Sequence, residues 1–336
     1  MSTTLTDRYE LAPAMLGTTF RHLRPPDDYV SMNTVANALR AADGEDWATS
    51  DESFRAFYDH LVNCDPATDV MVVERQAMVI AYGRAAWLEE LDGLRTYEPI
   101  SFVDPDATDA IVLRRSIIET METRCRQMAA THPASPKSFQ LSAADSATDY
   151  AALILELGYS QERYFYTMVR PNLGDLPGMP LPAGLEVREV EPQHLRAIWE
   201  AEMEALGDHW GAPVPTEELY QEFLHSPDQM DTSLWRIAWD GDQIAGMVRS
   251  YINPEENERY GRKRGWVENI MVRRQWRRRG LARALIAASI PLLRARGMTE
   301  GALGVDTENP SGALRVYEDC GFVAVKRETT YRRRLE

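Results

Sequence analysis

The sequence is poor in the patterns that mark several protein classes. It has three cysteines, Cys64, Cys125 and Cys320, far apart and with no CxxC pair. That excludes a disulfide scaffold and a cysteine-built zinc site, and the thiols are expected to be reduced. The six histidines are scattered without ligand spacing, so no metal is expected. No stretch approaches the roughly 18 apolar residues that a membrane-spanning helix needs. The opening residues lack the basic-then-apolar order of a secretory signal, so a cytoplasmic protein without membrane association is expected. Positive charge is also in deficit: 37 Lys and Arg stand against 52 Asp and Glu, a formal net charge of −15. Such a balance argues against nucleic acid as a partner.

Against this background one segment stands out. Arg259 to Arg283 holds ten Lys and Arg and a single acid, Glu268. Within it, "WRRRGLARAL" (Trp276 to Leu285) gathers three consecutive arginines and then breaks on Gly280. The residues alone leave two readings open: a solvated, salt-bridged face, or a site for one specific anion.

At 336 residues, 44% of them apolar, the chain is long enough for two domains with ordinary cores. "LGDLPGMPLPAG" reads as a linker over residues 173–184, between a first unit, 1–172, and a second, 185–336. The two units look duplicated. "LGYSQERYFYTMVR" near the end of the first resembles "CGFVAVKRETTYRRR" at the end of the second, at an offset of 163 residues, and "YEPISFV" resembles "VENIMV". In the second unit "LEVREV" alternates as a strand. Pro192 to Leu206 and Thr216 to Leu224 have helical spacing, and Asp240-Gly241 centres a hairpin. A polar loop leads to the strand "WVENIMV". A helix over about Gly280 to Arg296 follows, bent at Pro291, then the strand "GALGVDT". A helix starting at Pro310 and two terminal strands complete the unit. The fold class is therefore α/β, a mixed sheet flanked by helices.

A helix that opens on Gly280 directly after a strand exposes unpaired N–H groups and a partial positive charge, a ready anion site. Gly280 permits a sharp turn and Ala282 leaves room for a phosphate. About 30 residues on, "NPSGALRVYEDCGF" spaces Asn309, Ala313, Tyr317 and Gly321 at four-residue steps. Capping roles for Asn309 and Gly321, and a half-buried core role for Tyr317, are equally open from the residues alone.

These two motifs, in this order, resemble the GNAT acyltransferase superfamily, and the likeness covers Leu185 to Glu336. The tandem arrangement looks like that of mycothiol synthase and its two-domain relatives. The resemblance implies two tandem GNAT-like domains and acetyl-CoA as acyl donor. It implies that the backbone of Ile270, Met271 and Val272 pairs with the pantetheine arm. Arg277, Arg278, Arg279, Gly280, Leu281 and Ala282 then hold the pyrophosphate, and Asn309 and Ala313 flank the pantetheine. Tyr317 protonates the departing thiolate. Glu268, on the strand beside the acyl site, is the candidate base, the alternative being a carboxylate paired with a neighbouring arginine. The acceptor is expected between the first two helices and the hairpin, at Asp208, His209 and Trp210. A solvated acidic helix before a Trp-anchored turn is the other reading.

The first unit departs from this pattern. At the 163 offset Gly280 falls on Ile117, Tyr317 on Ile154, Asn309 on Ser146 and Arg277 on Arg114. It is expected to be degenerate, without catalysis, structural, and a wall of the acceptor cleft. The function expected is direct acetyl transfer to a primary amine, on a small-molecule amine or amino-sugar conjugate, by the C-terminal domain of a monomer or homodimer. A non-catalytic acyl-CoA-binding sensor is the alternative from another class.

Overall fold

The computed structural model describes residues 17–336 except 175, 177, 228, 229 and 310. Two positions of the expected linker and the expected helix-starting proline, Pro310, thus lie outside the described residues. Contacts divide the chain into two compact units. The first comprises residues 1–162 with 330–336, and the second comprises residues 163–329.

The first unit contains β1 (Thr18–His22), α1 (Tyr29–Ala42), α2 (Asp51–Asp59), α3 (Pro66–Asp69), β2 (Val70–Arg75), β3 (Met78–Glu89), β4 (Arg95–Val103), α4 (Ala110–Thr131), β5 (Lys137–Ala144) and α5 (Thr148–Glu156). Strands β1 to β4 pair antiparallel in succession, and β4 pairs parallel with β5 from Arg95↔Lys137 to Tyr97↔Phe139. Its core is built around α4, where Leu113, Ile117, Ile118, Met121 and Cys125 are fully buried.

The strand after α5 is β6 (Ser160–Arg170). Then come β7 (Glu186–Arg188), α6 (Leu195–Leu206), α7 (Glu217–Leu224), β8 (Trp235–Asp240), β9 (Gln243–Tyr251), α8 (Pro254–Arg259), β10 (Arg264–Val272), α9 (Leu281–Ala295), β11 (Glu300–Asp306), α10 (Ala313–Asp319) and β12 (Val323–Arg334). In the second unit β7 to β10 pair antiparallel in succession, and β10 pairs parallel with β11. Residues Phe165 to Arg170 of β6 then pair antiparallel with β11. Topologically β7–β8–β9–β10–β11 repeats β1–β2–β3–β4–β5, with α9 in the place of α4. The duplication read from the sequence is therefore present in the fold. The boundaries between units fall inside β6 and β12: the end of β12 is counted with the first unit and most of β6 with the second.

Four local expectations are corrected. The last helix starts at Ala313, behind Gly312 in the left-handed region, where the chain turns into the helix. The two expected terminal strands are one strand of 12 residues. The polar loop holds a short helix, α8, capped by the Asn253 side chain on the Glu256 N–H. The repeat offset is 163 residues between Lys137 and Glu300, but 169 between Arg95 and Arg264. The intervening helix has 22 residues in the first unit and 15 in the second.

Helix α9 sets the geometry of the site. Leu281, Leu285, Ile286, Ile290 and Leu293 recur at helical spacing and are buried on the sheet. Each contributes about 1.5–3 kcal/mol by leaving water. Pro291 lies inside the helix, which continues beyond it to Ala295. The close approach of α9 and β10 to β9 requires Gly246. A Cβ there would stand 2.8 Å from the Met271 carbonyl oxygen and 3.1 Å from Leu281. The carbonyl cannot rotate away as a side chain could. Gly246→Val is expected to cost about 1–3 kcal/mol, as overpacking does, read as a lowered urea midpoint. A midpoint equal to the parent's would show that β10 moves aside freely.

Candidate active site

Strand β10 leaves β11 early. Their parallel pairing runs from Arg264↔Glu300 to Trp266↔Ala302 and goes no further. Beyond that point the chain passes through a short 3-10 turn, Arg274–Trp276, and enters α9 through Arg278 at φ +61° and Gly280 at φ +83°. Both are left-handed, and only at Gly280 is that conformation free of strain. No atom lies within 4 Å of a Cβ built on Gly280, so the helix start faces open space. That space is a groove of about 580 Å³, lined among others by Ile270, Met271, Val272, Arg277, Arg278, Gly280, Leu281, Ala282, Asn309, Ala313 and Tyr317. An α9 N-terminus with free amide groups, a left-handed glycine and small side chains is the donor set that a pyrophosphate-bearing ligand requires. Arg279 is exposed and is not among the lining residues.

The arginine run is largely neutralised by acids from elsewhere in the chain. Arg273 binds Glu204 at 2.5 Å, Arg264 binds Glu300 at 2.7 Å, and Arg283 pairs with Asp319. Arg277 donates to the Val272 carbonyl at 2.8 Å and to Asp208 at 2.5 Å. Arg274 takes Asp208 as well. Hydrogen bonds from these two guanidiniums, Arg274 first, hold the Asp208 carboxyl far below the usual range. Asp208 thus lines the groove and braces the turn before α9.

A second cavity, of about 380 Å³, opens on the far side of Tyr317. Five residues, His209, Ile270, Met271, Asn309 and Tyr317, line both spaces. The second cavity adds Glu268, Asn269, Asp306, Glu328 and, from β6, Phe165, Tyr166 and Thr167. Glu268 stands where β10 and β11 have parted, and its Oε1 accepts the Gly304 N–H at 2.7 Å. It pairs with a backbone amide rather than an arginine. Burial pushes its pKa up to about 7, against hydrogen bonds from the Gly304 and Asn269 N–H groups and the charge of Arg249. Tyr317 is 7% exposed. Burial, and next the charge of Glu268, raise its phenol above the ordinary range, so it stays protonated.

The loop after α6 spreads the three expected acceptor residues. His209 lies at the junction of the two cavities, with Nε2 3.5 Å from Asn309 Nδ2, and burial lowers its pKa. Asp208 faces the groove alone. Trp210 lines neither cavity; it packs on Phe165 at 6.3 Å, with Arg163 over its ring. Arg163 in turn holds Asp306 through two hydrogen bonds of 2.8 and 2.9 Å. The β6 contribution was not visible in the sequence, because nothing local in "YFYTM" signals a strand that lies against β11.

The corresponding place in the first unit is built differently. Helix α4 starts at Ala110, so Asp109, and not Ile117, occupies its N-cap. The Asp109 carboxylate sits at the helix start and is held by Arg75 at 2.6 and 3.0 Å. Ile117 and Ile154 are fully buried core residues. Arg114 is stacked 3.1 Å from the Tyr150 ring centre and lies 3.6 Å from Asp43.

Comparison with known proteins agrees with this geometry. Residues 195–322 match the family described as Acetyltransferase (GNAT) family. A relative from Salinispora arenicola named mycothiol acetyltransferase is 31% identical over 188 residues, 54% of this chain and 59% of that protein. The chain thus matches little more than half the length of that relative. Among solved structures, a GCN5-related N-acetyltransferase from Sphaerobacter thermophilus superimposes with a TM-score of 0.68 at 24% identity, over 94% of this chain and 95% of that one. A tandem GNAT protein from the clavulanic acid biosynthesis pathway does so at 0.65 with 16% identity, over 94% and 98%. These likenesses establish the tandem GNAT fold. Among the described residues no helix is long and apolar enough to cross a membrane.

The raised affinity of Glu268 for a proton has a thermodynamic sign. The folded chain keeps this proton between its ordinary value of 4.5 and about 7, whereas the unfolded chain releases it. The stability so contributed is present at low pH and is lost as pH rises through that window. Relative to Glu268→Gln, the parent is therefore expected to lose stability from about pH 5 to pH 7 and to run parallel above it, as urea midpoints across that range would show. Parallel curves throughout would mean that Glu268 titrates as an ordinary surface carboxylate.

Proposed function

Residues 195–322 match the Acetyltransferase (GNAT) family, and from that premise we propose that the chain is an acetyl-CoA-dependent N-acetyltransferase acting by direct transfer to a primary amine. The observation that carries this reading is the junction of the two cavities beneath Tyr317, with an anion-binding helix start on one side and Glu268 on the other. When bound, acetyl-CoA supplies an acyl group activated as a thioester. Gly280, Leu281 and Ala282, with Arg278, would hold its pyrophosphate. Ile270, Met271 and Val272 would carry the pantetheine, with Asn309 and Ala313 beside it.

The chain's own groups then divide the proton work. Glu268 takes a proton from the attacking amine, and a base that titrates near 7 suits neutral pH. The β10 backbone beyond Trp266 supplies the N–H that faces negative charge on the acyl oxygen. Tyr317, protonated by burial, gives a proton to the departing sulfur. Cys320 is fully buried and its thiol is raised by burial, which supports direct transfer over a cysteine-bound route.

The same reasoning assigns activity to the second unit alone. In the first, a carboxylate already stands at the α4 N-cap and would repel a phosphate there. Residues 1–172 are accordingly read as structural, 173–184 as a linker and 185–336 as catalytic. For the acceptor we propose a small-molecule amine or amino-sugar conjugate. Two features support a cationic amine: carboxylates of Glu268, Asp306 and Glu328 line its cavity, and His209 stands at the entrance from the groove. The mycothiol acetyltransferase relative points to an amino-sugar conjugate of that type. Asp208 and Arg277 are read as the brace behind the pyrophosphate site.

Calorimetric titration with acetyl-CoA is expected to give one site per chain, lost in Gly280→Glu. Thiol release across an amine panel is expected to fall about 10²–10⁴-fold in Glu268→Gln, and the acid limb near pH 7 to vanish with it. Tight binding without thiol release from any amine would convert the reading to a non-catalytic acyl-CoA sensor. Two sites would return the first unit to the binding function.

A further inference from the structure

We propose that Arg249 and Glu202 are positioning residues for Glu268, a buried ion pair that grips the Asn269 side chain, fixes a left-handed bulge in β10 and so directs the Asn269 N–H onto the Glu268 carboxylate. The inference rests on the assignment of Glu268 as the base.

The bulge is visible in the strand register. Glu268 lies opposite Arg249 and Met271 opposite Met247, so β10 spends one more residue than β9 over the same span. Asn269 sits inside that span at φ +50°. A side chain other than glycine rarely holds this conformation, and asparagine does so when its amide is bonded locally. Here both ends of the amide are bonded. In the orientation that satisfies its neighbours, the nitrogen donates to Glu202 Oε1 at 3.2 Å and the oxygen accepts from Arg249 Nη2 at 2.9 Å. Arg249 and Glu202 bond each other at 2.9 Å, with side chains 7% and 6% exposed. The guanidinium is flanked by Phe223 and Trp235, with ring centres 4.8 and 5.0 Å away.

Stability alone does not account for this pair. Buried ion pairs are commonly no better than apolar side chains of the same volume. This one also leaves Glu202 Oε2 and Arg249 Nε buried without a hydrogen bond, which a pair kept for stability would avoid. What apolar side chains could not do is accept from one end of an amide and donate to the other. The product of that grip is a fixed backbone at the residue that follows Glu268, whose Oε1 accepts the Gly304 N–H from β11 at 2.7 Å and whose proton affinity the Asn269 N–H lowers. Other ionisable groups face Glu268 from every side: Arg249 from β9, Tyr317 from α10, Asp306 from β11, Glu328 from β12 and His209 from the loop after α6. Of these, only Arg249 also touches the Asn269 side chain in the bulge.

The test is a direct titration, which needs neither acceptor nor turnover. The full chain is labelled with ¹³C at glutamate carboxyls, and the Glu268 signal is identified by its loss in Glu268→Gln. Arg249→Met removes the grip and a stabilising charge, so the Glu268 midpoint is expected to rise by about half a unit or more. Asn269→Gly keeps the left-handed backbone and is expected to leave the midpoint near the parent's. Asn269→Ala, which resists that backbone, is expected to raise it while Arg249 remains in place. Equal midpoints for the glycine and alanine variants, or an unmoved midpoint in Arg249→Met, would overturn the proposal. If Arg249→Met does not fold, the Asn269 pair still decides. Failure of Glu268→Gln to lower thiol release would instead remove Glu268 as base and leave the titration result standing.

Discussion

Everything at this site follows from the early parting of β10 and β11. Parallel strands joined by a helix satisfy each other's backbone groups only where they pair. Here three residue pairs hold and then the strands separate, with Glu268 spanning the start of the gap to the Gly304 N–H. The gap creates two needs at once. Backbone groups of β10 lose a partner, and the bulge at Asn269 turns part of that loss into a bond on Glu268. The carboxylate is partly withdrawn from water there, which raises its proton affinity. Cavity, exposed backbone and proton acceptor are therefore three consequences of one local failure of pairing.

Charge is arranged by the same economy. The basic run from Arg259 to Arg283 looks like a surface for polyanions when read along the chain. In space Glu204, Asp208, Glu300 and Asp319 meet it. Arg277 ties the end of β10 to the loop after α6, and so fixes where α9 begins. Most of the arginines serve as architecture for the anion site, whose own attraction comes from the α9 N-terminus. The acids that meet the run leave little of its charge unpaired for a polyanion.

What could be read in the sequence is what is local. Gly280 before a helix and Tyr317 one turn into another are placed by their immediate neighbours, and both were legible. So was the duplication, since β6 and β12 keep their spacing at matched ends. The rest depends on partners that no spacing announces. Helix α4 is seven residues longer than α9, so a constant offset put Gly280 on Ile117 when Asp109 stands at the helix start. Asn269 reads as one more polar strand residue until its φ is known. Glu202 reads as a helix-surface acid until Arg249 is placed across from it. Phe165, Tyr166 and Thr167 belong by sequence to the first repeat and by contact to the cavity of the second unit.

The two units share a topology and differ at the start of the helix that joins their parallel strands. Both join a parallel strand pair through a helix. In one, the residue before the helix is Gly280, left-handed, with open space where a side chain would stand. In the other it is Asp109, whose carboxylate does not cap the helix amides and binds Arg75 instead. A carboxylate at the N-cap position disfavours a second anion there, whereas a helix opened by glycine leaves its positive end available. The dense packing beneath α4, where Ile117 and Met121 press on Gly83, further commits that unit to stability. Both copies part their parallel strands after three residue pairs, and what the second adds is the bulge at Asn269, the half-buried Glu268 beside it and the left-handed Gly280.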